Sequence, residues 1–424
     1  MRAPHNPNRR VAIIGSGIAG LTCAHVLGPH RDVELFEADD RLGGHANTVT
    51  VDDPIAGELA VDTGFIVHNR PNYPNFSRLV DELGVRTQPT EMSFAVTDRR
   101  RQLTYRATNP STIFADRRNI ARPELWRMLY DITRLWRSAR HLLEDPTSSE
   151  RLTLGQFLAG GSFSEGFVEW HLRPLFAAVW SADPRTLEEA SALAFLGFID
   201  NHGLIGFGRR PQWRTIVGGS REYVAGIERR FDGKVHLSSP VTAVRRLETD
   251  GVEVVTSNGK YLFDEVVFAC HTDQILRLLE HPTATEREIL GAIRYLPNRA
   301  VLHTDSTRLS PNPRAWAAWN YEVEPEASAP GVTYDLTTLQ QLPGAQRYLV
   351  SLNMEDRIDP STIIRTFDYS HPYFDVGAVL AKPRLPEING LDRIHYCGAW
   401  ARNGFHEDGM AAALDVCTQL GVEW

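Results

Sequence analysis

Apolar runs of strand and helix length alternate at the start of the chain. Residues 11–14 and 33–36 are mainly apolar and have strand length, and the apolar stretch between them stops at Gly28 and Pro29. Short apolar runs are typical of buried parallel strands, and a glycine–proline pair ends a helix. The pattern predicts a strand, a helix and a second, parallel strand within the first 36 residues.

Three glycines occupy the turn between the first strand and the helix. Gly15, Gly17 and Gly20 have the spacing G-x-G-x-x-G, and Glu37 follows the second strand. The first glycine allows a tight turn, the second lets a pyrophosphate approach the backbone, and the third lets the helix pack closely on the strand. The helix N-terminus faces the anion, and Glu37 would accept the ribose hydroxyls. Together these features predict a dinucleotide site.

Later apolar runs indicate that the chain returns twice to this unit. Strands are predicted at residues 235–237, 241–246, 252–256 and 263–269, and again before Gly398. Residues 96–214 look mainly helical, whereas 276–390 carry strand-like runs at 300–304 and 348–352. We predict an α/β fold with a discontinuous nucleotide-binding domain, 1–95, 215–275 and 391–424, and an interleaved substrate domain, 96–214 and 276–390.

Two helices of the substrate part have distinct patterns. Thr186 to Glu189 reads as a capping box that precedes an apolar face. Residues 125–143 place apolar side chains at Leu125, Leu129, Ile132, Trp136, Ala139 and Leu143, with arginines at 127, 134, 137 and 140. A basic amphipathic helix can lie on an anionic membrane surface. The alternative is an ordinary core-packed helix with a solvated basic face.

Composition excludes several classes of protein. The chain has 424 residues, 42% hydrophobic and 23% charged, which suits a globular protein of two domains. A net charge of −8 without a basic–aromatic motif argues against nucleic-acid binding. Neither a membrane-spanning run nor, within the polar first ten residues, a signal peptide is evident, so we expect a cytoplasmic protein. Four separated cysteines and the histidine spacing predict neither disulfides nor a metal site.

The segments after Glu37 and near residue 400 distinguish one dinucleotide from another. Arg41-Leu-Gly-Gly-His45 supplies a cation and two bare backbone positions for a second phosphate contact, and Asp62-Thr-Gly-Phe-Ile66 adds a glycine turn. A strand ends at Gly398, and Gly404-Phe-His-Glu-Asp-Gly-Met410 opens the last helix. This set resembles the flavin amine oxidase superfamily, which includes amine oxidases, phytoene desaturases and protoporphyrinogen oxidases.

The resemblance implies a Rossmann-like, glutathione-reductase-type domain for noncovalent FAD and an α+β substrate domain with a six-stranded sheet. It places the terminal strand–loop–helix over the flavin, Val241 against the adenine and Ala269 near the pyrophosphate, although Ala399 stands where many members carry Glu. The cofactor-binding residues that we predict are Gly15, Ser16, Gly17, Ile18, Ala19, Gly20, Glu37, Ala38, Arg41, Gly43, Gly44, His45, Thr63, Gly64, Phe65, Val241, Ala269, Gly398, Asp408, Gly409 and Met410.

The chain is also similar to a bacterial group known as predicted NAD/FAD-binding proteins, through the runs 210–220, 298–305, 368–372 and 404–409. Such proteins are commonly encoded beside enzymes resembling cyclopropane-fatty-acid synthases. By association, this implies a lipid or fatty-acyl substrate. In amine oxidases a lysine bridges through water to the flavin N5, and it should fall near Asn298 or Arg299. Since no lysine occurs between Lys260 and Lys382, we expect slow reaction with oxygen and a separate electron acceptor.

Three residues are predicted to act at the site. Arg214, with Trp213, either orients a carboxylate, a phosphate or the flavin edge, or serves packing and a salt bridge. His406, with Glu407, either accepts a proton or anchors the helix. Trp400 could form one wall of an amine cage.

Three histidine and tyrosine positions are left with two interpretations. His202 either faces the cavity or is exposed. Tyr369 and His371 either line the entrance or stabilise a turn before Pro372.

These observations predict an FAD-dependent oxidoreductase that dehydrogenates a hydrophobic substrate by hydride transfer to flavin N5. One alternative is a flavin amine oxidase that acts on a small amine. The other is a flavin-dependent isomerase or a flavoprotein without turnover.

Overall fold

The computed structural model describes residues 9–203, 211–248, 251–323 and 331–424. Within these ranges the strands are β1 (Arg10–Ile14), β2 (Asp32–Phe36), β3 (Thr48–Asp53), β4 (Gly57–Asp62), β5 (Val67–Asn69), β6 (Thr87–Pro89), β7 (Phe94–Asp98), β8 (Leu103–Arg106), β9 (Trp213–Ile216), β10 (Lys234–His236), β11 (Val241–Leu247), β12 (Gly251–Thr256), β13 (Gly259–Phe263), β14 (Glu265–Phe268), β15 (Arg294–His303), β16 (Trp319–Glu322), β17 (Val332–Asp335), β18 (Leu349–Leu352), β19 (Ile363–Tyr373) and β20 (Ile394–Tyr396).

The α-helices are α1 (Ile18–Leu27), α2 (Pro74–Glu82), α3 (Pro110–Ile113), α4 (Pro123–Glu144), α5 (Pro146–Ser149), α6 (Leu154–Gly161), α7 (Glu165–Phe167), α8 (Arg173–Trp180), α9 (Ala192–Asn201), α10 (Arg221–Glu228), α11 (Thr272–Leu278), α12 (Ala284–Gly291), α13 (Leu336–Leu339), α14 (Val376–Ala381) and α15 (His406–Gln419). A π-helical turn, Val168–Leu172, joins α7 to α8. Short 3₁₀ turns join several other elements.

A five-stranded parallel sheet forms the nucleotide-binding half, in the order β10-β2-β1-β14-β20. Ile14 pairs with Phe36 on one side and with Phe268 on the other. Because the strands are parallel, their carboxyl ends lie at one edge of the sheet, where ligands of such folds bind. The predicted α/β class is confirmed, and the sheet brings residues from positions 15, 37, 269 and 398 to this edge.

The substrate half contains a seven-stranded mixed sheet, β19-β15-β18-β17-β16-β7-β8, rather than the expected six strands. The sheet is extended by the hairpin of β7 and β8, which brings Ala95 opposite Arg106. The hairpin of β3 and β4 also packs on this sheet, through a shared core that includes Val61, Leu302 and Val350. The division into two domains at the residues given above stays a prediction.

The helix α4 packs on the substrate half through a different face from the predicted one. Its buried positions are Leu125, Met128, Asp131, Leu135, Ala139 and Leu142. The side chains of Leu129, Ile132, Trp136 and Leu143 are only partly buried. Asp131 lies on the buried face because the backbone amide of Ser164 and the guanidinium groups of Arg127 and Arg134 all donate to its carboxylate.

Three further predictions about local structure are wrong. Residues 263–269 form two strands instead of one, because Asp264 breaks the run and accepts the amide of Arg10. The cap of α9 is Ser191, whose hydroxyl accepts the amide of Ala194, while Thr186 lies in a preceding 3₁₀ turn. The turn before Pro372 is absent from the described chain, since Tyr369 and His371 belong to β19, which continues through Pro372 and pairs with β15 along its length; both residues line the cavity described below.

None of the helices in the described ranges is both long enough and apolar enough to cross a membrane. Residues 1–8, which include most of the polar start, lie outside the described ranges.

Candidate active site

A cavity of about 640 Å³ lies at the carboxyl edge of the parallel sheet and extends between the two halves of the chain. This volume is within the range of small-molecule and cofactor sites in proteins. One part of its wall comes from the glycine turn after β1, and the other from the helices and strands of the substrate half.

The N-terminus of α1 is built to approach an anion. Gly17 is the N-cap residue, and no side chain caps the helix, so its first amide groups face the cavity without a side-chain acceptor. A Cβ atom on Gly17 would meet no protein atom within 4 Å, whereas one on Gly44 would lie 3.1 Å from the Gly17 Cα. Two glycine backbones therefore meet at the helix dipole, which is the arrangement that a pyrophosphate needs.

The first and third glycines of the motif serve the turn itself. Gly15 has φ +99°, in the left-handed region that favours glycine. A Cβ atom on Gly20 would lie 1.9 Å from the Gly15 carbonyl oxygen, so α1 could not pack this closely on the turn with any other residue. Gly20 thus acts outside the cavity wall, as the sequence argument for the third glycine requires.

Glu37 ends β2 and lies in the cavity wall. Its Oε2 accepts the Ser16 amide at 2.9 Å and the Ser16 hydroxyl, and its Oε1 accepts the Asp39 amide at 2.9 Å. These bonds fix the carboxylate beside the glycine turn, at the position where a ribose would be bound.

The loop after β2 is held together by hydrogen bonds from the side chain of Arg41. Arg41 donates to the carbonyl oxygens of Gly44 at 2.9 Å and of Ala46 at 3.3 Å, and it does not line the cavity. Gly43, at φ +114°, donates its amide to the Ser16 carbonyl. Arg41 and Gly43 therefore shape the loop that presents Gly44 and His45 to the cavity.

The last helix is anchored by two carboxylates. Asp408 accepts the Phe405 amide at 2.9 Å and caps α15, and burial raises the pKa of its carboxyl group. Glu407 accepts the amides of Asn75 and Phe76 and so caps α2. The sequence predicts two alternative roles for Glu407, proton transfer or anchoring of the helix. Its hydrogen bonds in the structure are those of an anchor.

His406 and Trp400 both line the cavity. His406 stacks on Phe65 with ring centroids 3.7 Å apart, and its Nε2 lies 2.7 Å from the Tyr223 hydroxyl. Burial lowers the pKa of His406 to about 3, so the ring is uncharged at neutral pH. Trp400 donates from its indole nitrogen to the Cys270 carbonyl at 3.1 Å, which fixes the ring in the wall.

Three more histidines meet between the two halves. The ring of His45 lies 4.8 Å from Tyr369, 5.2 Å from His371 and 6.2 Å from His271. Burial lowers the pKa of all three imidazoles, that of His371 to about 4. The Nε2 of His45 is buried without a protein partner, which leaves it free to bond a cofactor.

His371 is held from behind by two amides of the substrate sheet. The side chain of Asn298 donates to its Nδ1 at 3.0 Å, and the side chain of Asn353 donates to Oδ1 of Asn298 at 2.9 Å. The side chains of Asn298 and Asn353 lie in the region where the resemblance to amine oxidases predicts a lysine.

The part of the cavity wall outside the glycine turn and α11, which we call the substrate end, is mainly aromatic and aliphatic. His202 lies 3.9 Å from the Phe198 ring and 6.0 Å from Trp213, and its Nδ1 bonds the Phe198 carbonyl at 3.0 Å. The wall also contains Tyr73, Met92, Ala178, Val179, Trp180, Trp319, Tyr334, Leu339, Leu352, Phe374 and Phe405. His202 therefore takes the cavity-facing position of its two predicted alternatives.

Formal charge is confined to one end of this cavity. Among the described wall residues the acidic side chains are Glu37 and Asp39, and the basic side chain is Arg277, which pairs with Asp273 at 2.8 Å. All three lie beside the glycine turn or on the neighbouring α11. In the described part of the chain, the substrate end presents neither a carboxylate nor a cation.

The predicted site residues divide into two groups. Those in the cavity wall are Gly15, Ser16, Gly17, Ile18, Ala19, Glu37, Ala38, Gly44, His45, Thr63, Gly64, Phe65, Val241, Ala269, Gly398, Trp400 and His406. Those outside it are Gly20, Arg41, Gly43, Arg214, Asp408, Gly409 and Met410. Arg214 lies on the far side of β9, where it donates to the hydroxyl and carbonyl oxygens of Thr87 at 2.8 and 2.9 Å.

Sequence reasoning missed most of the substrate wall, including Trp180, Trp319 and Tyr334. It also missed His271, although this residue follows β14 directly, and the rule that ligands bind at the carboxyl ends of parallel strands could have found it.

All four cysteines are free, and Cys23 and Cys397 lie with their sulfur atoms 3.9 Å apart behind the cavity. No cluster of three metal-binding side chains occurs in the residues that the structure describes.

The sequence profile of the family described as flavin containing amine oxidoreductase matches residues 18–303. The chain belongs to this family. FAD is therefore its cofactor, and the glycine turn, the open side of Gly17 and the unpartnered His45 fit that cofactor.

The chain is also similar to individual members of this family. It is 26% identical to the flavin-containing amine oxidase A of Canis lupus familiaris over 273 residues, which are 58% of this chain and 46% of that protein. The chain thus spans about half the length of this relative.

Two solved structures share nearly the whole fold. A fatty acid isomerase from P. acnes has a TM-score of 0.72 at 16% identity, with 98% of this chain and 99% of that chain covered. A putrescine oxidase with bound putrescine has a TM-score of 0.68 at 17% identity, with 97% and 99% covered. At such identities the likeness shows the fold alone.

Proposed function

We propose that this flavin amine oxidoreductase dehydrogenates an uncharged, hydrophobic substrate, a lipid or fatty-acyl chain. Bound FAD supplies the acceptor for a hydride, at N5 of its ring. The observation that carries the proposal is that, in the described part of the chain, the substrate end of the cavity presents no formal charge and has a wall of aromatic and aliphatic side chains.

An uncharged wall selects against ionic substrates. A buried ammonium or carboxylate group without a partner costs several kcal/mol, because it leaves its hydration behind. The wall histidines do not provide charge, since burial holds the pKa of His202, His371 and His406 at about 4 or below. A fatty acid would therefore enter as an ester or amide, with its carboxyl oxygens uncharged.

The side chains of the wall position the substrate and exclude water. The rings of Phe198 and Phe405 stack at 4.3 Å, and Trp180 packs edge-on against Phe374 at 5.9 Å. Such a rigid apolar channel holds one C–H bond of a chain in place for transfer. The resemblance to proteins encoded beside cyclopropane-fatty-acid-synthase-like enzymes supports the same substrate class.

Anaerobic reduction of the bound flavin tests this proposal. We expect a phospholipid dispersion with unsaturated acyl chains to bleach the flavin absorbance, and mass spectrometry to show a product two hydrogens lighter. Met92→Glu, which places a charge in the wall, should remove bleaching without loss of FAD. Ile55→Glu is the matched control, since Ile55 is 79% exposed on the hairpin of β3 and β4.

The same assay separates the two alternatives. Bleaching by a small amine and not by lipid would identify an amine oxidase. An isomerase would move a double bond without net bleaching, and either result would overturn the proposal.

A second prediction concerns oxygen. Asn298, which donates to His371, lies at the predicted position of the missing lysine, and the chain has no lysine between Lys260 and Lys382. We expect the reduced protein to reoxidise slowly in air and faster with a quinone, as stopped-flow absorbance would show. Rapid peroxide formation with a simple amine would contradict this.

A further inference from the structure

Positive charge is concentrated in one stretch of the chain. Residues 99–140 contain eleven arginines and three acidic residues, a net charge of +8, although the whole chain has −8. The remaining residues therefore carry −16. Arg99, Arg101 and Arg106 pair with glutamates outside the stretch, so the remaining positive charge lies around α4 and the turn before it and produces a local field of opposite sign to that of the whole chain.

The fold brings this stretch to one surface. The tip of the β7–β8 hairpin meets the turn before α4, because Arg122 donates to the carbonyl oxygens of Arg101 and Gln102, both at 3.0 Å. Arg118 donates to the Gln102 side chain at 2.8 Å. The charges of hairpin, turn and helix are therefore neighbours in space.

Three exposed apolar side chains lie in the middle of these charges. Ile120, Trp126 and Tyr130 are 56%, 50% and 54% exposed. The Trp126 ring is held in place, because its indole donates to the Ile120 carbonyl at 2.9 Å and packs on Phe114 at 5.1 Å. Exposed large apolar side chains that cluster in this way mark an interaction site.

Several arginines around them form no ion pair with the acidic residues that the structure describes. Arg127 and Arg134 are paired with the buried Asp131. In the described ranges, ion pairs are absent at Arg117, Arg122, Arg137 and Arg140. By helical spacing, Arg137 and Arg140 share the outer face of α4 with Trp126 and Tyr130.

We infer that this surface docks on an anionic lipid bilayer. We call it the aromatic–arginine surface, and its members are Arg117, Ile120, Arg122, Trp126, Tyr130, Arg137 and Arg140. Trp and Tyr side chains favour the headgroup region of membranes, and guanidinium groups bond phosphates in bidentate geometry. Trp136 and Arg134 lie on the same helix, but their side chains are half-buried and are not members of the surface. The inference does not depend on the proposed substrate.

Vesicle flotation of the FAD-loaded protein tests the inference. We expect binding to phosphatidylcholine vesicles that contain 30% phosphatidylglycerol, and little binding to pure phosphatidylcholine. High salt should weaken it, because screening shortens the range of the charges. Each basic residue near such a surface contributes about fivefold in affinity, so Arg137→Glu with Arg140→Glu should reduce binding by roughly 25-fold or more.

Two further variants separate charge from apolar contact. Trp126→Ser with Tyr130→Ser should weaken binding and leave its salt dependence unchanged. Arg229→Glu with Arg287→Glu is the charge-matched control, since both side chains are exposed, that of Arg229 just after α10 and that of Arg287 on α12. Unchanged flavin absorbance and circular dichroism establish that each variant is folded.

Three results would overturn the inference. The first is absence of binding to the anionic vesicles, and the second is an equal loss of binding in the charge-matched control. The third is binding to an immobilised acidic polypeptide but not to vesicles, which would assign the surface to an acidic protein partner.

Discussion

Gly17→Val yields a folded protein that binds FAD roughly 100-fold more weakly. A Cβ atom at this position meets no protein atom within 4 Å, and its φ of −64° is open to any residue. The substitution therefore leaves the protein without a clash and fills the space beside the helix N-terminus. Overpacking of this kind costs about 1–3 kcal/mol or more. Here it weakens the binding of the FAD pyrophosphate. Fluorescence titration of the apoprotein with FAD measures the loss.

Two glycines serve as controls for this effect. Gly160→Val adds the same side chain on the exposed helix α6, where a Cβ atom again meets nothing within 4 Å, and should leave FAD binding unchanged. Gly20→Val should prevent folding instead, since its Cβ would overlap the Gly15 carbonyl. Normal FAD affinity in Gly17→Val would contradict the position that we assign to the cofactor.

Acidification from pH 7 to pH 5 should destabilise the apoprotein by about 2 kcal/mol or more. Burial lowers the pKa of His68 and of His303 to about 4. Their stabilising effect is complete above the unfolded pKa near 6.5 and is lost as the pH falls towards 4. From pH 7 to 5 the two groups together lose about 3–4 kcal/mol.

Asp62 acts in the opposite direction. Burial raises the pKa of this carboxyl group to about 6, although Thr48 and Ser220 donate hydrogen bonds to it. Its stabilising effect is complete below the unfolded pKa near 3.9 and is lost as the pH rises through 6. Acidification from pH 7 to pH 5 therefore raises the contribution of Asp62 to the free energy of unfolding by about 1 kcal/mol. The sum over Asp62, His68 and His303 is still a net loss of stability.

Urea unfolding of the apoprotein at both pH values measures this difference. The Asp305 amide donates to Nδ1 of His303, and Nε2 bonds Ser351 at 2.8 Å, so protonation must break the first bond. His303→Gln should remove about half of the loss that we expect from His68 and His303 together. His30→Gln at an exposed position should leave it unchanged. Equal free energies of unfolding at pH 7 and pH 5 would contradict the prediction.

The nucleotide-binding half could be predicted from the sequence because its signals are local. The turn at Gly15, Gly17 and Gly20 and the strand before Glu37 lie within 23 consecutive residues, where backbone geometry follows from residue type. Their predicted positions agree with β1, α1 and β2 to within one residue.

The substrate wall could not be predicted in this way. Trp180, Trp319 and Tyr334 come from α8, β16 and β17, and only the pairing of Trp319 with Tyr334 in the folded sheet brings two of them together. The position of the Arg214 side chain could not be predicted for the same reason, because the pairing of β9 with β6 turns this side chain towards Thr87. Side-chain direction in a strand depends on its register, and the sequence contains no local signal for this register.

The strand order of the parallel sheet also determines how late in protein synthesis the cofactor site is completed. Gly17 and Gly398 lie on the same cavity, but 380 other residues are made between them. A ribosome adds about 5–20 residues per second, so roughly 20–80 s separate these two glycines. Until β20 is synthesised and pairs with β14, the apolar edge of the nascent sheet stays unpaired. During this time only part of the FAD site is present. Chaperones therefore have a long interval in which to act, and a cell short of riboflavin should accumulate this protein in a protease-sensitive form.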